Sequence, residues 1–203
     1  RLAEAGRGPH REPRPSFHET FHELRSHRPG LQSAPVRVNV TTWHLEMLRP
    51  EDLRPAKIPS LDLEIRQAKI ASPELNRFRY TAVGAGWTWI DRLPWTRERW
   101  LEYLDRPAVE TWVGYVSGTP AGYFELERQP GERGESVEIA YFGLLPRFTG
   151  IGLGGHLLTF AARRGWEMGS SRVWVHTCSL DHPQALRNYE ARGFRVFKVE
   201  AEE

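Results

Sequence analysis

Residues 136–160 read Ser-Val-Glu-Ile-Ala-Tyr-Phe-Gly-Leu-Leu-Pro-Arg-Phe-Thr-Gly-Ile-Gly-Leu-Gly-Gly-His-Leu-Leu-Thr-Phe. Ser136 to Leu145 is an apolar, β-branched and aromatic run that stops at Pro146, which predicts a buried strand. Four glycines follow, at positions 150, 152, 154 and 155. From His156 to Met168, the residues Leu157, Leu158, Ala161, Ala162 and Trp166 recur at the spacing of a helix with one buried face. The unit is therefore strand, glycine turn, helix. Such a turn leaves backbone N–H groups pointing out of a helix N-terminus, where the helix dipole adds positive potential, and together they suit a phosphate. Glycine is wanted because a side chain would hold the phosphate off the backbone.

Two familiar glycine turns fit poorly. A Walker loop ends in Gly-Lys-Ser/Thr, whereas this turn ends in Gly154-Gly155-His156. Gly150 to Gly155 matches G-x-G-x-x-G loosely, but Arg172 stands near the place where a dinucleotide site needs an acidic residue.

The stretch resembles the coenzyme A-binding motif of GNAT-superfamily N-acetyltransferases. In that pattern an apolar residue, any residue and proline are followed by two residues and Arg/Gln-Gly-x-Gly-x-Gly/Ala. Leu144-Leu145-Pro146 and Thr149-Gly150-Ile151-Gly152-Leu153-Gly154 stand in those places. Thr149 replaces the usual Arg or Gln, and Arg147 is the nearby charge. Asp181 to Phe194, Asp-His-Pro-Gln-Ala-Leu-Arg-Asn-Tyr-Glu-Ala-Arg-Gly-Phe, resembles the family's last helix through Ala185, Tyr189, Gly193 and Phe194. There His182 replaces the usual asparagine. The resemblance covers roughly residues 36–199.

Composition sets bounds. The chain has 203 residues, 39% hydrophobic and 11% aromatic, enough for one domain with a real core and an appendage. Residues 1–35 hold five prolines, three glycines, four of the eight histidines, six Arg and four Glu, and read as an N-terminal extension. The domain itself is expected over 36–203. It has 22 basic and 22 acidic residues, which argues against nucleic acid as the main partner. The single cysteine, Cys178, excludes an internal disulfide framework. No apolar run approaches the roughly 18 residues of a membrane span, and no secretory segment opens the chain, so a cytoplasmic enzyme without membrane contact is expected. His18-Glu19-Thr20-Phe21-His22 matches the H-E-x-x-H zinc motif. A catalytic zinc also needs a third ligand and a walled cleft, which this short segment does not supply, so no metal is expected.

Strands are predicted over 36–47, 111–116, 121–127, 136–145, 172–177 and 194–199, and helices over 73–83, 97–104, 156–168 and 182–192. Residues 61–70 are ambiguous. Ser72, Thr96 and Asp181 are the expected N-caps. Ser117-Gly118-Thr119-Pro120 reads as a hairpin turn. The fold class implied is a mixed α/β, GNAT-type sheet, twisted and largely antiparallel, splayed between its fourth and fifth strands and flanked by helices.

The resemblance implies acetyl transfer from acetyl-CoA directly to a primary amine of a small molecule or peptide, with coenzyme A as product. It implies Glu138 as general base, with Glu125 as the rival. It also implies the Leu144 N–H as the group polarising the thioester, at a bulge eased by Gly143, and Tyr189 as general acid. Coenzyme A would lie on Leu144, Leu145, Arg147, Thr149, Gly150, Ile151, Gly152, Leu153, Gly154, Gly155, His182 and Asn188. The acceptor would meet Trp87, Trp89, Asp91, Glu125 and Thr177, with the indoles and Asp91 attracting an ammonium group. A domain that binds acyl-CoA without catalysis is the alternative. The acceptor's identity and the oligomeric state, homodimer included, stay open.

Overall fold

The computed structural model describes residues 39–131 and 134–202. The N-terminal extension, the H-E-x-x-H match and the start of the predicted first strand lie outside them. Seven strands form one sheet: β1 (Val40–Met47), β2 (Leu63–Ala68), β3 (Val109–Val116), β4 (Thr119–Gly131), β5 (Gly134–Leu144), β6 (Arg172–Cys178) and β7 (Arg195–Glu202). Four helices flank it: α1 (Pro73–Gly84), α2 (Arg97–Leu104), α3 (Leu153–Glu167) and α4 (Ala185–Ala191). The strand order is β2-β3-β4-β5-β6-β1-β7, and every pair is antiparallel except β5–β6. The mixed sheet of the sequence reading is present. The ambiguous stretch 61–70 supplies its edge strand β2, and β1 lies between β6 and β7.

Alternation along the strands makes two cores. On one face Phe124, Leu126, Val137, Ile139, Val173 and Val175 pack under Leu157, Leu158, Ala161 and Ala162 of α3 and Tyr189 of α4. On the other face Tyr123, Ala140 and Tyr141 pack under Tyr80 and Val83 of α1 and Trp100 and Leu104 of α2. Several caps follow the sequence. Thr96 accepts from the Arg99 N–H at 3.3 Å, and Gly193, at φ 99°, ends α4. Ser117 and Gly118, at φ 47° and 75°, form the tight hairpin turn between β3 and β4. Ser72 sits at the N-cap of α1, but its side chain makes no cap hydrogen bond.

Two features position the site. The parallel pairing of β5 with β6 covers only Ser136–Arg172, Val137–Val173 and Glu138–Trp174, after which the strands part. The bulge in β5 comes at Ala140, where Glu125 pairs with Tyr141 and Leu126 with Ile139. This corrects the expected bulge at Gly143. Gly143 instead lets α1 approach, since a Cβ there would stand 2.4 Å from Val83 Cγ1. Among the described residues no helix is long and apolar enough to cross a membrane, and no group of three or more His, Cys, Asp or Glu is placed to hold a metal ion.

Candidate active site

The splay between β5 and β6 opens into a cavity of about 950 Å³. At one end lies the turn before α3. A short 3-10 turn, Pro146–Phe148, follows β5, and the Thr149 hydroxyl donates to the Pro146 carbonyl at 2.8 Å. Gly150 and Gly152 then take φ of 78° and 83°, a left-handed backbone that only glycine adopts readily, and a Cβ on either would meet nothing within 4 Å. The backbone here faces open space. Gly152 is the N-cap, so α3 begins at Leu153, three residues before the expected His156. Gly154 and Gly155 lie in its first turn, whose N–H groups have no partner within the helix. A Cβ on Gly155 would lie 3.1 Å from Ala56 Cβ and 3.6 Å from Asn188 Oδ1 of α4.

At the middle of the cavity stands Leu144. The Leu145 N–H donates to the Ala121 carbonyl of β4 at 2.9 Å. Successive N–H groups of an extended chain point to opposite edges, so the Leu144 N–H faces the gap toward β6. Tyr189 lines the same space; it is buried, and among the described residues nothing hydrogen-bonds its hydroxyl. Burial, then the negative charge of Asp181, pushes its phenol well above the ordinary tyrosine range.

The far end is aromatic and acidic. Trp87, Trp89, Asp91, Tyr141, His44, His176, Asp181 and Glu200 all line it. The three indoles of the Trp87–Trp95 stretch do not gather around Asp91. Trp87 packs edge-on against His182, with ring centroids 4.8 Å apart. Trp89 donates Nε1 to Asp181 at 3.2 Å. Trp95 stacks on the Arg92 guanidinium, away from the cavity. Asp91 accepts hydrogen bonds from Tyr80 at 2.6 Å and from Tyr141.

Several expected site residues do not line the cavity. Glu125 is fully buried, ion-paired to Arg92 Nη1 at 2.6 Å and hydrogen-bonded by Asn76 Nδ2 at 2.9 Å, and it does not line the cavity. Glu138 is buried behind the wall; Gln129 Nε2 donates to it at 2.6 Å, and His176 Nδ1 lies 3.3 Å from it. Thr177 points inward by strand alternation and donates to Asp181 Oδ2 at 2.8 Å. Leu145, partly buried, packs against the core under α1 and α2, and Leu153 is buried as the first inward residue of α3. Arg147 and Ile151 project outward. The other expected residues, including Leu144, Thr149, His182, Asn188 and Tyr189, meet at the cavity.

Sequence reasoning missed Asp181 as a site residue and misplaced α4. The Asp181 carboxylate also accepts the Cys178 N–H at 3.1 Å, and the Gln184 N–H turns back to His182 Nδ1 at 3.0 Å. These bonds occupy residues 181–184, so the helix starts at Ala185 with Gln184 as N-cap. The signal was a polar acceptor three residues past the end of a strand. Arg187, exposed on α4 and lining the glycine end, was also missed. Burial, then Asp181, pushes the Cys178 thiol up, which keeps it protonated and a poor nucleophile.

A sequence model of the acetyltransferase (GNAT) family matches residues 74–194. The chain belongs to the GNAT acetyltransferase family. No curated protein matches it. Solved structures of GNAT proteins share the fold. One is a GCN5-related N-acetyltransferase from Kribbella flavida, 19% identical, with a TM-score of 0.55 over 78% of this chain and 55% of that one. Another, from Sphaerobacter thermophilus, is 18% identical with a TM-score of 0.55, over 93% of this chain and 56% of that one. A third, an aminoglycoside N-acetyltransferase in complex with CoA, is 17% identical with a TM-score of 0.50, over 71% of this chain and 92% of that one. The chain thus spans little more than half of the first two GNAT structures.

Proposed function

We propose that the protein is an N-acetyltransferase that moves the acetyl group of acetyl-CoA directly to a primary amine of a small molecule or peptide. One observation carries this reading: a single cavity runs from a helix N-terminus opened by two left-handed glycines to the Tyr189 hydroxyl and on to an aromatic, acidic chamber. The backbone N–H groups after Gly150, with Arg187 and Asn188 of α4, would hold the pyrophosphate and its flanks. The Leu144 N–H, aimed into the gap, would donate to the thioester oxygen as charge develops on it. Tyr189 would protonate the departing thiolate, and the amine's proton would leave toward the Glu138 side of the chamber. The acidic lining favours a cationic acceptor. The decisive assay is amine-dependent thiol release from acetyl-CoA over a panel of polyamines, aminoglycosides, aryl amines and peptides. Coenzyme A binding with no release on any amine would leave a binding domain instead.

Two variants probe the ends of the cavity. Gly152→Asp puts a strained side chain and a negative charge at the N-terminus of α3. Calorimetry should show coenzyme A affinity down by roughly tenfold or more, about 1.4 kcal/mol. Unchanged affinity in a folded variant would move the cofactor elsewhere. Asp91→Asn should raise KM for the amine by about tenfold, the worth of one charge-assisted contact, and leave KM for acetyl-CoA in place. Equal changes in both constants would show that Asp91 only braces the loop through Tyr80 and Tyr141.

A further inference from the structure

Two imidazole–carboxylate pairs stand side by side in the acidic chamber. His176 on β6 is about one-third exposed and lines the cavity, with its Nδ1 3.3 Å from Glu138 Oε1. Glu138 is 1% exposed and does not line the cavity. Its other oxygen is fixed by Gln129 Nε2 at 2.6 Å. Opposite His176 in the β1–β6 pairing is His44, whose Nε2 lies 2.6 Å from Glu200 Oε2. The two rings are 6.0 Å apart.

The Nδ1–Oε1 approach is an ion-pair distance and not a hydrogen bond; a carboxylate there leaves Nε2 on the far side of the ring and stabilises the imidazolium once it forms. A carboxylate shut behind the wall cannot itself reach a substrate nitrogen. A general base must stand within hydrogen-bond reach of the proton it removes.

We propose that His176 is the base that takes the acceptor amine's proton, and that Glu138 is a positioning residue acting through it. The proposal rests on the acetyl-transfer reading. An ammonium acceptor first gives one proton to solvent; the freed lone pair then forms the new C–N bond at the thioester carbonyl carbon, and a second N–H proton passes to His176 Nε2. The C–S bond breaks, and the thiolate sulfur takes the Tyr189 proton. Before the next turnover the His176 proton leaves to solvent and Tyr189 regains one. His44 and the half-exposed Glu200 mark the open side of the chamber where that exchange occurs. No redox change and no further reactant is involved.

Around His176 stand Glu138 on β5, Glu200 on β7, itself paired with Lys198 at 2.6 Å, and His44 on β1. Asp91 and Asp181 line the same cavity and add negative charge, though both already accept hydrogen bonds.

The test is the pH profile of kcat/KM for the best amine of the panel. The wild-type protein should show a rising limb as His176 loses its proton. His176→Gln should lose that limb and fall by roughly 10²-fold, with its melting temperature little changed because the side chain is partly exposed. Added imidazole should restore part of the rate to His176→Ala. Glu138→Gln should keep the limb with a lower plateau, because the neutral amide cannot balance the charge that forms on the ring beside it. If Glu138→Gln does not fold, His176→Gln and the imidazole rescue decide alone. A His176→Gln protein with the wild-type limb and rate overturns the assignment and leaves acetyl transfer standing. Coenzyme A binding without thiol release on any amine sinks acetyl transfer and this base together.

Discussion

Replacing Arg92 with leucine should lower unfolding stability by about 3–5 kcal/mol, read as a shift in the urea midpoint, because it strands a buried charge. Arg92 and Glu125 are 2% and 0% exposed, and their contact is 2.6 Å. The guanidinium is boxed by rings, its carbon 4.0 Å from the Tyr103 centroid, 4.1 Å from Tyr141 and 4.6 Å from Trp95. With Arg92 gone, Glu125 loses its ion pair while buried from solvent, and Asn76 remains as its hydrogen-bond donor among the described residues. Arg92→Leu combined with Glu125→Leu should recover most of the loss, since an apolar pair of similar bulk often replaces a buried ion pair without penalty. If Arg92→Leu alone melts like the wild type, the pair is not holding this face together.

The same change reaches the active site. The Arg92 guanidinium stacks on the Tyr141 ring at 4.1 Å, and the Tyr141 hydroxyl donates to Asp91. Arg92 thus anchors the loop that carries Trp87, Trp89 and Asp91 to the cavity. Arg92→Lys keeps the charge but loses the planar stacking, so it should fall between the wild type and Arg92→Leu.

Local chemistry was legible in the sequence, and long-range pairing was not. Gly150 and Gly152 could be read because the left-handed turn they make depends on those residues alone. Thr96, Gly193 and the Ser117-Gly118 turn were readable for the same reason. Residues 61–70 were ambiguous because β2 is an edge strand. Its polar residues Glu64 and Arg66 face solvent, so its pattern equally suits a short amphipathic helix. The place of β1 was hidden, since Thr42 pairs with Cys178 and Glu200, far along the chain. The three tryptophans show the limit within one short loop. Adjacent in sequence, they serve His182, Asp181 and Arg92 in turn. Glu125 and Glu138 look alike in sequence, each a carboxylate in an apolar strand. Only the partners brought by α1, the Arg92 loop and β6 separate a structural ion pair from a group at the edge of the chemistry.

Tyr189→Phe should cut kcat by roughly 10²-fold with KM for acetyl-CoA little changed, the loss expected for one proton donor acting only in the transition state. The ring sits in the core against Phe142 and Phe194, so phenylalanine keeps the packing and the melting temperature should hold. What disappears is a hydroxyl that no described residue hydrogen-bonds, on the wall of the cavity between the Leu144 N–H and the acidic chamber. Burial and the Asp181 charge both disfavour the phenolate, so Tyr189 stays protonated through the neutral range, as a donor must. The sign of the linkage is testable. A folded-state pKa above the ordinary value of about 10 gives stability that is full below that value and is lost as the pH climbs past it. Tyr189→Phe should therefore lose less stability than the wild type in strong alkali, while losing activity at neutral pH. An unchanged kcat with chemistry rate-limiting would remove Tyr189 from the reaction and leave another donor, or water, to protonate the thiolate.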